Sequence, residues 1–442
     1  MKVYIFFILF CLFVQTSCSY SQPEYNPIRN DVSNEGETDT EEPGDGSDEK
    51  PVDEPDIYPE EDYELVWREE FDEEVYNGES QEENRKILDE RWSIQNAPST
   101  HILCGRYREN VEVSDGTLKL INKKENRGGQ EWTSGNIWTK EHFMYGYYEC
   151  RYKYAAATGT NNSFWIMSQN SGQPTEGSNF ELDINEGHFP CEVATNIHNW
   201  SGVHTTSSKK YIFGVQPENS IPMENPISTR KIRFSSNYYR HFHIKEFRVF
   251  NYIKGYIYPG PMENYDESKL TNFAGKATIK SSGNYQGSYP PQNAVDNNMS
   301  SSWVSQDEGE KWLEFDFGSN VAIGCIQFVN GYLSGDEWQD VITDYKIQYE
   351  KDGKWIDIVS TDVTKSGNFA DEYHTYGLQW TKDELIFYFD RKEIRRAKNE
   401  FCYSPAPVWL SLAIISWSGP VTDAIDGTKM EVDYVRIYKK KD

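Results

Sequence analysis

From Tyr63 onward the chain alternates apolar and polar residues in short runs, each closed by a turn signal. TLKLINKK follows Ser-Asp-Gly, YYECRYKY follows Tyr-Gly, LIFYFDRK follows Thr-Lys-Asp-Glu, and MEVDYVRIYKK stands near the end. A period of two puts alternate side chains on opposite faces, so these runs predict strands buried on one side. No long stretch keeps a helical period. The class this predicts is all-β, as a sandwich, jelly roll or barrel.

At 442 residues there is room for two or three such domains. The 13 Trp and 30 Tyr can build β cores or line a groove that stacks sugar rings. A formal charge of −27 excludes nucleic acid as a partner, because a phosphate backbone would be repelled. That charge is uneven. Between Asp31 and Asp62 stand 15 Asp/Glu against one Lys, in a Pro- and Gly-rich tract with few large apolar residues. Such a segment predicts a self-repelling spacer. It follows MKVYIFFILFCLFVQTSC, whose apolar run is the length of a signal-peptide core rather than a membrane span. If Cys11 and Cys18 belong to that leader, Cys104, Cys150, Cys191, Cys325 and Cys402 remain, too widely spaced to read as a disulfide framework or a zinc site.

One strand-like run breaks the pattern of polar outside and apolar inside. FELDINEGHF (180–189) carries Glu181, Asp183 and Glu186 among apolar residues. Glu181 and Asp183 share a face by alternation, whereas Glu186 is five positions from Glu181 and faces away. One extra residue near Ile184–Asn185, a β-bulge, would bring it round. Taken alone, three acids in six residues read as a solvated acidic face before they read as a catalytic set.

The flanking blocks change that. ELVWREEFDE, RENVEVSDGTLKL, TSGNIWTKEHFMYGYYECRYKY and NNSFWIMS, then HTYGLQWTKDELIFYFDRKEIRR, PVWLSLAII and VDYVRIY, resemble glycoside hydrolase family 16 in order and spacing. FELDINE falls where that family carries Glu-x-Asp-x-x-Glu. The resemblance implies a concanavalin-like β-jelly roll with a concave cleft, and a double displacement that needs no cofactor for catalysis. By position Glu181 is the nucleophile, Glu186 the acid/base, and Asp183 the group that keeps their pKa values apart. It further implies substrate contacts from Asn162, Trp165, His198 and Trp200. Trp138 and Trp417 are candidates for sugar stacking, Trp138 equally for the core. Arg106 and Arg108 would enter the groove to meet an acidic or sulfated sugar, or serve as surface salt-bridge partners.

Between the two hydrolase pieces, NFAGKATIKSS, YPPQNAVDNNMSSSWVS, KWLEFDFG and DYKIQYEKDGKWIDIV resemble the first part of a discoidin (coagulation-factor type C) domain. Its closing strands resemble RKIRFSSNYYRHFHIKEFRVFNY, which lies upstream. The implied arrangement is a circularly permuted discoidin-like sandwich inserted in the jelly roll. The expected layout is a leader at 1–18, the acidic linker at 19–62, hydrolase at 63–204, insert at 205–365 and hydrolase at 366–442. The resemblance implies a structural Ca2+ held by Asp296, Ser301 and Glu246, although the usual Asp-Gly-Asn is Asp-Asn-Asn here. Gln15-Thr16-Ser17-Cys18 resembles a bacterial lipoprotein signal, which implies a lipid anchor at Cys18 and a membrane-attached protein of the cell envelope, outside the cell; the alternative is ordinary secretion with cleavage nearby.

The expected function is a retaining endo-β-glycanase acting on an extracellular polysaccharide or glycan. IISWSGP departs from the Gly-Gly-Asn-type loop of the laminarin-cleaving branch, which leans the reading from β-1,3-glucan toward a galactan. The alternatives are a glycan-binding protein without turnover and a transglycosylase using the same site.

Overall fold

The computed structural model describes residues 62–168 and 179–441. The leader, Cys18 and the acidic linker up to residue 61 lie outside the described residues. Strands dominate, as the period-two pattern predicts. A short α-helix, Gln81–Leu88, begins where Ser80 Oγ accepts the Glu83 amide.

Two sheets face each other. One runs Lys392–Lys398, Glu384–Phe389, His374–Trp380, Gly146–Lys153, Lys429–Lys440, Thr117–Ile121 and Val111–Ser114, and Tyr63–Glu69 also pairs with Lys429–Lys440. The other runs Thr205–Ile212, Glu192–Asn199, Phe180–His188, Thr160–Met167, Val408–Ile414, Asn136–Thr139 and Trp92–Ile94. Phe164, Phe180, Leu182, Ile184, Leu410 and Leu412 of the second sheet meet Tyr148, Leu378, Trp380 and Val432 of the first in one core. Strands from both ends of the chain interleave in each sheet, so the two hydrolase pieces make one jelly roll. The outer face of the second sheet is left for chemistry.

The insert has its own sheet and its own core. Trp303–Val304, His243–Asn251, Lys311–Asn330, Glu218–Ser236, Asp344–Lys351 and Lys354–Asp362 pair in that order, around Phe234, Phe247, Phe315 and Phe328. The two strands before residue 252 thus complete the sheet begun after residue 277, as a permuted sandwich requires. The insert is also fastened to its host. Val341 and Val363 join the jelly-roll core, and Lys209 pairs with Asp336 and with Glu337, the latter at 3.3 Å.

One boundary differs from the expected layout. Thr205–Ile212 pairs along its whole length with Glu192–Asn199, so residues 205–212 extend the jelly-roll sheet and the insert begins after them. The segment TTSSKKYI is an edge strand with mostly exposed side chains, so backbone pairing holds it where no apolar alternation announces it. The five cysteines of the described residues are free and buried.

Candidate active site

The strand Phe180–His188 lies between Thr160–Met167 and Glu192–Asn199, and its register slips once. Asp183 pairs with Trp165 on one side and Asn196 on the other, while Glu186 pairs with Ser163 and Ala194. Three steps on this strand match two on each neighbour. The extra residue is a bulge at Ile184–Asn185, where both side chains turn inward. Ile184 enters the core and Asn185 Nδ2 donates to the hydroxyls of Tyr152 and Tyr154 at 2.6 and 2.8 Å. Glu181, Asp183 and Glu186 therefore share the outer face. Gly187 completes the turn, since a Cβ there would sit 2.2 Å from the Tyr154 ring.

Cross-strand register arranges this face in rows. Met167, Glu181, His198 and Thr206 form the first. Trp138, Trp409, Trp165, Asp183, Asn196 and Ser208 form the second. Asn136, Ser411, Ser163, Glu186, Ala194 and Lys210 form the third. Ala413, Asn161, His188, Glu192 and Ile212 form the fourth. The acids thus occupy three successive rows at the centre of the sheet.

Each acid has a distinct setting. Glu181 Oε2 accepts from Trp200 Nε1 at 2.9 Å, and Trp200 stacks on His204 with centroids 3.8 Å apart. Glu186 is held by two amides, Asn161 Nδ2 on Oε1 and Asn196 Nδ2 on Oε2, both at 2.6 Å. Asp183 is the deepest. Its Oδ2 lies 3.2 Å from His198 Nε2 and is otherwise buried without a hydrogen-bond partner. Burial, then the charge of Glu186, pushes Asp183 well above the usual carboxylate range. Burial, then the charge of Asp183, raises Glu181 as well. Two carboxyls so close and so poorly solvated cannot both ionise, so the pair retains a proton, and the more deeply buried Asp183 holds it most firmly. Ligand atoms of Glu181, Asp183 and His198 also lie within 4.8 Å of one another, a spacing that a metal ion could use.

The other sequence candidates divide. Trp165 and Trp138 lie on the cleft face, stacked on opposite sides of Trp409 with centroids 4.8 and 4.5 Å apart, and Trp165 Nε1 donates to Ser411 Oγ at 2.8 Å. Each ring covers a face of the next, and Trp409 leaves the outer faces of Trp138 and Trp165 uncovered. His198 and Trp200 stand beside the acids, and His198 Nδ1 is 3.0 Å from His204 Nε2. Trp417 is 60% exposed on a loop at the cleft margin. Asn162 does not reach the cleft. It is fully buried on the core side, donating to the Gly187 carbonyl at 3.0 Å and accepting the Ala155 amide at 2.7 Å. Its neighbour Asn161 takes the contact with Glu186, because alternation turns consecutive residues to opposite faces. Arg108 is a salt-bridge partner of Asp89 and Glu82. Arg106 is buried on the edge strand Cys104–Arg106, which pairs with Gln130–Ser134, its Nε is unpartnered, and burial lowers its pKa.

In the insert, Glu246 Oε2 accepts the Asn297 amide at 3.0 Å, and Oε1, buried, has no hydrogen-bond partner. Burial pushes Glu246 up to about 7, with the charge of Asp296 adding to it. Ser301 Oγ donates to Asp296 Oδ2 at 2.7 Å. Asn297 takes φ +57°, the left-handed conformation that a glycine at this position would supply and that Asn tolerates. The Asp-Asn-Asn turn is therefore retained, and Glu246 Oε1, without a hydrogen bond, lies 3.9 Å from Arg248 Nε.

The model for Glycosyl hydrolases family 16 matches residues 99–221 and 331–436, just over half of the chain, and that for the F5/8 type C domain matches 278–381. Both claim 331–381, and strand pairing divides the overlap: Asp344–Lys351 and Lys354–Asp362 lie in the insert sheet, His374–Trp380 in the jelly roll. The curated proteins Endo-1,3-1,4-beta-glycanase EglC and ExsH of Rhizobium meliloti (strain 1021) are 40% and 34% identical over 82 residues. That span is 18% of this chain and 18% of each relative. The laminarinase catalytic domain from Thermotoga maritima MSB8 aligns at a TM-score of 0.43 and 16% identity, covering 86% of this chain and 100% of that one.

Proposed function

The chain belongs to glycosyl hydrolases family 16, and we propose that it is a retaining endo-β-glycanase in which Glu181 is the nucleophile and Glu186 the acid/base. The observation that carries this is the bulge, which brings three acids to one face and leaves one proton shared between Glu181 and Asp183. Glu181 attacks the anomeric carbon while the bond to the leaving oxygen breaks and Glu186 gives that oxygen its proton. Glu186 then takes a proton from water, whose oxygen displaces Glu181 from the sugar. Asn161 and Asn196 aim Glu186 throughout, and Trp200 aims Glu181.

The proposed substrate is an extended β-glycan. The names of the two curated relatives favour a β-1,3-1,4-glucan, while the departure of IISWSGP from the Gly-Gly-Asn-type loop of the laminarin-cleaving branch favours a galactan. Digestion of laminarin, mixed-linkage glucan, agarose, porphyran and carrageenans, with Glu181→Gln as control, decides between them. Oligosaccharides from one substrate, born as the β-anomer by NMR and missing in the control, are expected. Binding without product from any of them would demote the chain to a glycan-binding protein.

Trp165 is the proposed sugar platform nearest the acids. Trp165→Ala is expected to lower kcat/KM on the polymer about 30-fold, the equivalent of about 2 kcal/mol of lost ring contact. Steady-state kinetics on the identified substrate checks it, and an unchanged kcat/KM would return Trp165 to a bracing role.

The proposal includes a Ca2+ held by Asp296 and Glu246, tying the Asn297 turn to the strand His243–Asn251. Chelation by EGTA is expected to lower the melting temperature by several degrees, with recovery on adding CaCl2. Glu246→Gln should melt at one temperature in both buffers. Equal melting of the parent chain in EGTA and CaCl2 would remove the metal from the account.

A further inference from the structure

The fourth row of the cleft face does not end in solvent. His188, Glu192 and Ile212 from that row, and Lys210 from the row of Glu186, line one wall of a cavity of about 340 Å³. Its rim on the jelly-roll side is Trp417. Its opposite wall is the insert, through the turn Asn237–Arg240 and the side chain of Asp344. Strand rise puts His188 about 7 Å beyond Glu186 on the same face, so the cavity adjoins the reacting centre.

Its chemistry is that of a sugar site. Two aromatic rings, those of Trp417 and Tyr239, are 60% and 42% exposed at its mouth, where solvated rings bring no core packing. The charged groups that line it already have partners, Asp362 with Lys365 at 2.8 Å among them. Glu192 takes His188 Nδ1 at 2.7 Å and Lys210 Nζ at 3.1 Å, Arg240 reaches Asp340 at 3.4 Å, and Asp344 accepts the Asn237 amide at 3.0 Å. Fixed polar groups beside exposed rings suit hydroxyls and a ring face better than a net charge. The volume stands at the lower end of what ligand sites span, about 300–1,000 Å³, as for a single sugar unit.

We infer that this cavity is a carbohydrate subsite built jointly by the two domains, so that the inserted sandwich takes part in substrate binding at the active cleft. The inference rests on the glycanase reading. It also gives a reason for the firm attachment of the insert: a subsite with half its wall on a second domain works only if that domain is fixed, which Val341, Val363 and Lys209 accomplish.

The test uses the full chain and β-glycan oligosaccharides of increasing length from the identified substrate. In the parent, kcat/KM should rise when a further unit fills the cavity. In the double variant Tyr239→Ala/Arg240→Ala, and separately in Trp417→Ala, the ratio of kcat/KM between the long and the short oligosaccharide should fall about tenfold. Lys269→Ala, an exposed change elsewhere on the insert, should keep the parental ratio. Calorimetric binding of the same oligosaccharides to Glu181→Gln reads the cavity without turnover, and the double variant in that background should again lose about tenfold. Equal ratios and equal affinities with and without Tyr239 and Arg240 overturn the inference and leave the glycanase reading standing. Cavity-dependent binding in a parent chain that cleaves none of these glycans overturns the glycanase reading and supports the subsite. No binding of any glycan overturns both.

Discussion

Glu181→Gln is expected to cut turnover on the order of 10⁴-fold while leaving the fold intact. The amide keeps the shape of the side chain and the acceptor for Trp200 Nε1, so binding should survive. What is lost is the only step that the amide cannot perform, formation of the glycosyl ester. Glu181→Gly sharpens the test. Removing the side chain opens space beside the anomeric carbon, and added azide can enter it as a substitute nucleophile. Attack from that side, with Glu186 still present to protonate the leaving oxygen, gives an α-glycosyl azide from a β-glycoside. That product identifies Glu181 by the stereochemistry of a new bond rather than by loss of activity. A β-glycosyl azide, or full activity of Glu181→Gln, would move the nucleophile elsewhere. The same variant in the glycan panel separates true products from contaminating activity.

Much of this site was legible before any coordinates. Alternation placed Glu181 and Asp183 on one face and turned Glu186 away from them, and the family resemblance implied the bulge near Ile184–Asn185, where the register slip lies. What failed was sidedness one strand away. Asn161 and Asn162 differ by one position, and only their register opposite His188 and Gly187 tells which amide faces the cleft. Trp409 was hidden in PVWLSLAII, where an outward Trp between apolar neighbours reads as an unbroken core run. His204 and the strand after it sit in a polar stretch whose order comes from backbone pairing and ring stacking with Trp200. The walls of the cavity shared with the insert were not legible, because they come from segments far apart in the chain.

Asp183→Asn should show activity and stability moving in opposite directions. A carboxyl whose pKa is raised by folding holds its proton in the native state where the unfolded chain has lost it. Its cost to stability is therefore absent below the unfolded pKa, near 4, and grows as pH rises toward the folded value. Asp183 lies fully within that window at neutral pH. Asparagine has no proton to lose. The variant should match the parent at pH 4 and exceed it at pH 8 by about 1–3 kcal/mol in urea denaturation, with the gap opening between those limits. Turnover should fall about 100-fold. The amide can still donate to ionised Glu181, but it cannot shift its proton when Glu181 becomes an ester and its charge disappears. Asp183 must answer that change twice in each cycle, because Glu186 sees its charge and has to be acid in one step and base in the next. A variant that loses activity without gaining stability at alkaline pH would show that Asp183 is ionised in the free protein, with the shared proton on Glu181 instead. The expected result places the cost of the site where the function needs it: the sequence keeps a third acid in a buried strand, against its own stability, because the pair on either side must trade roles around it.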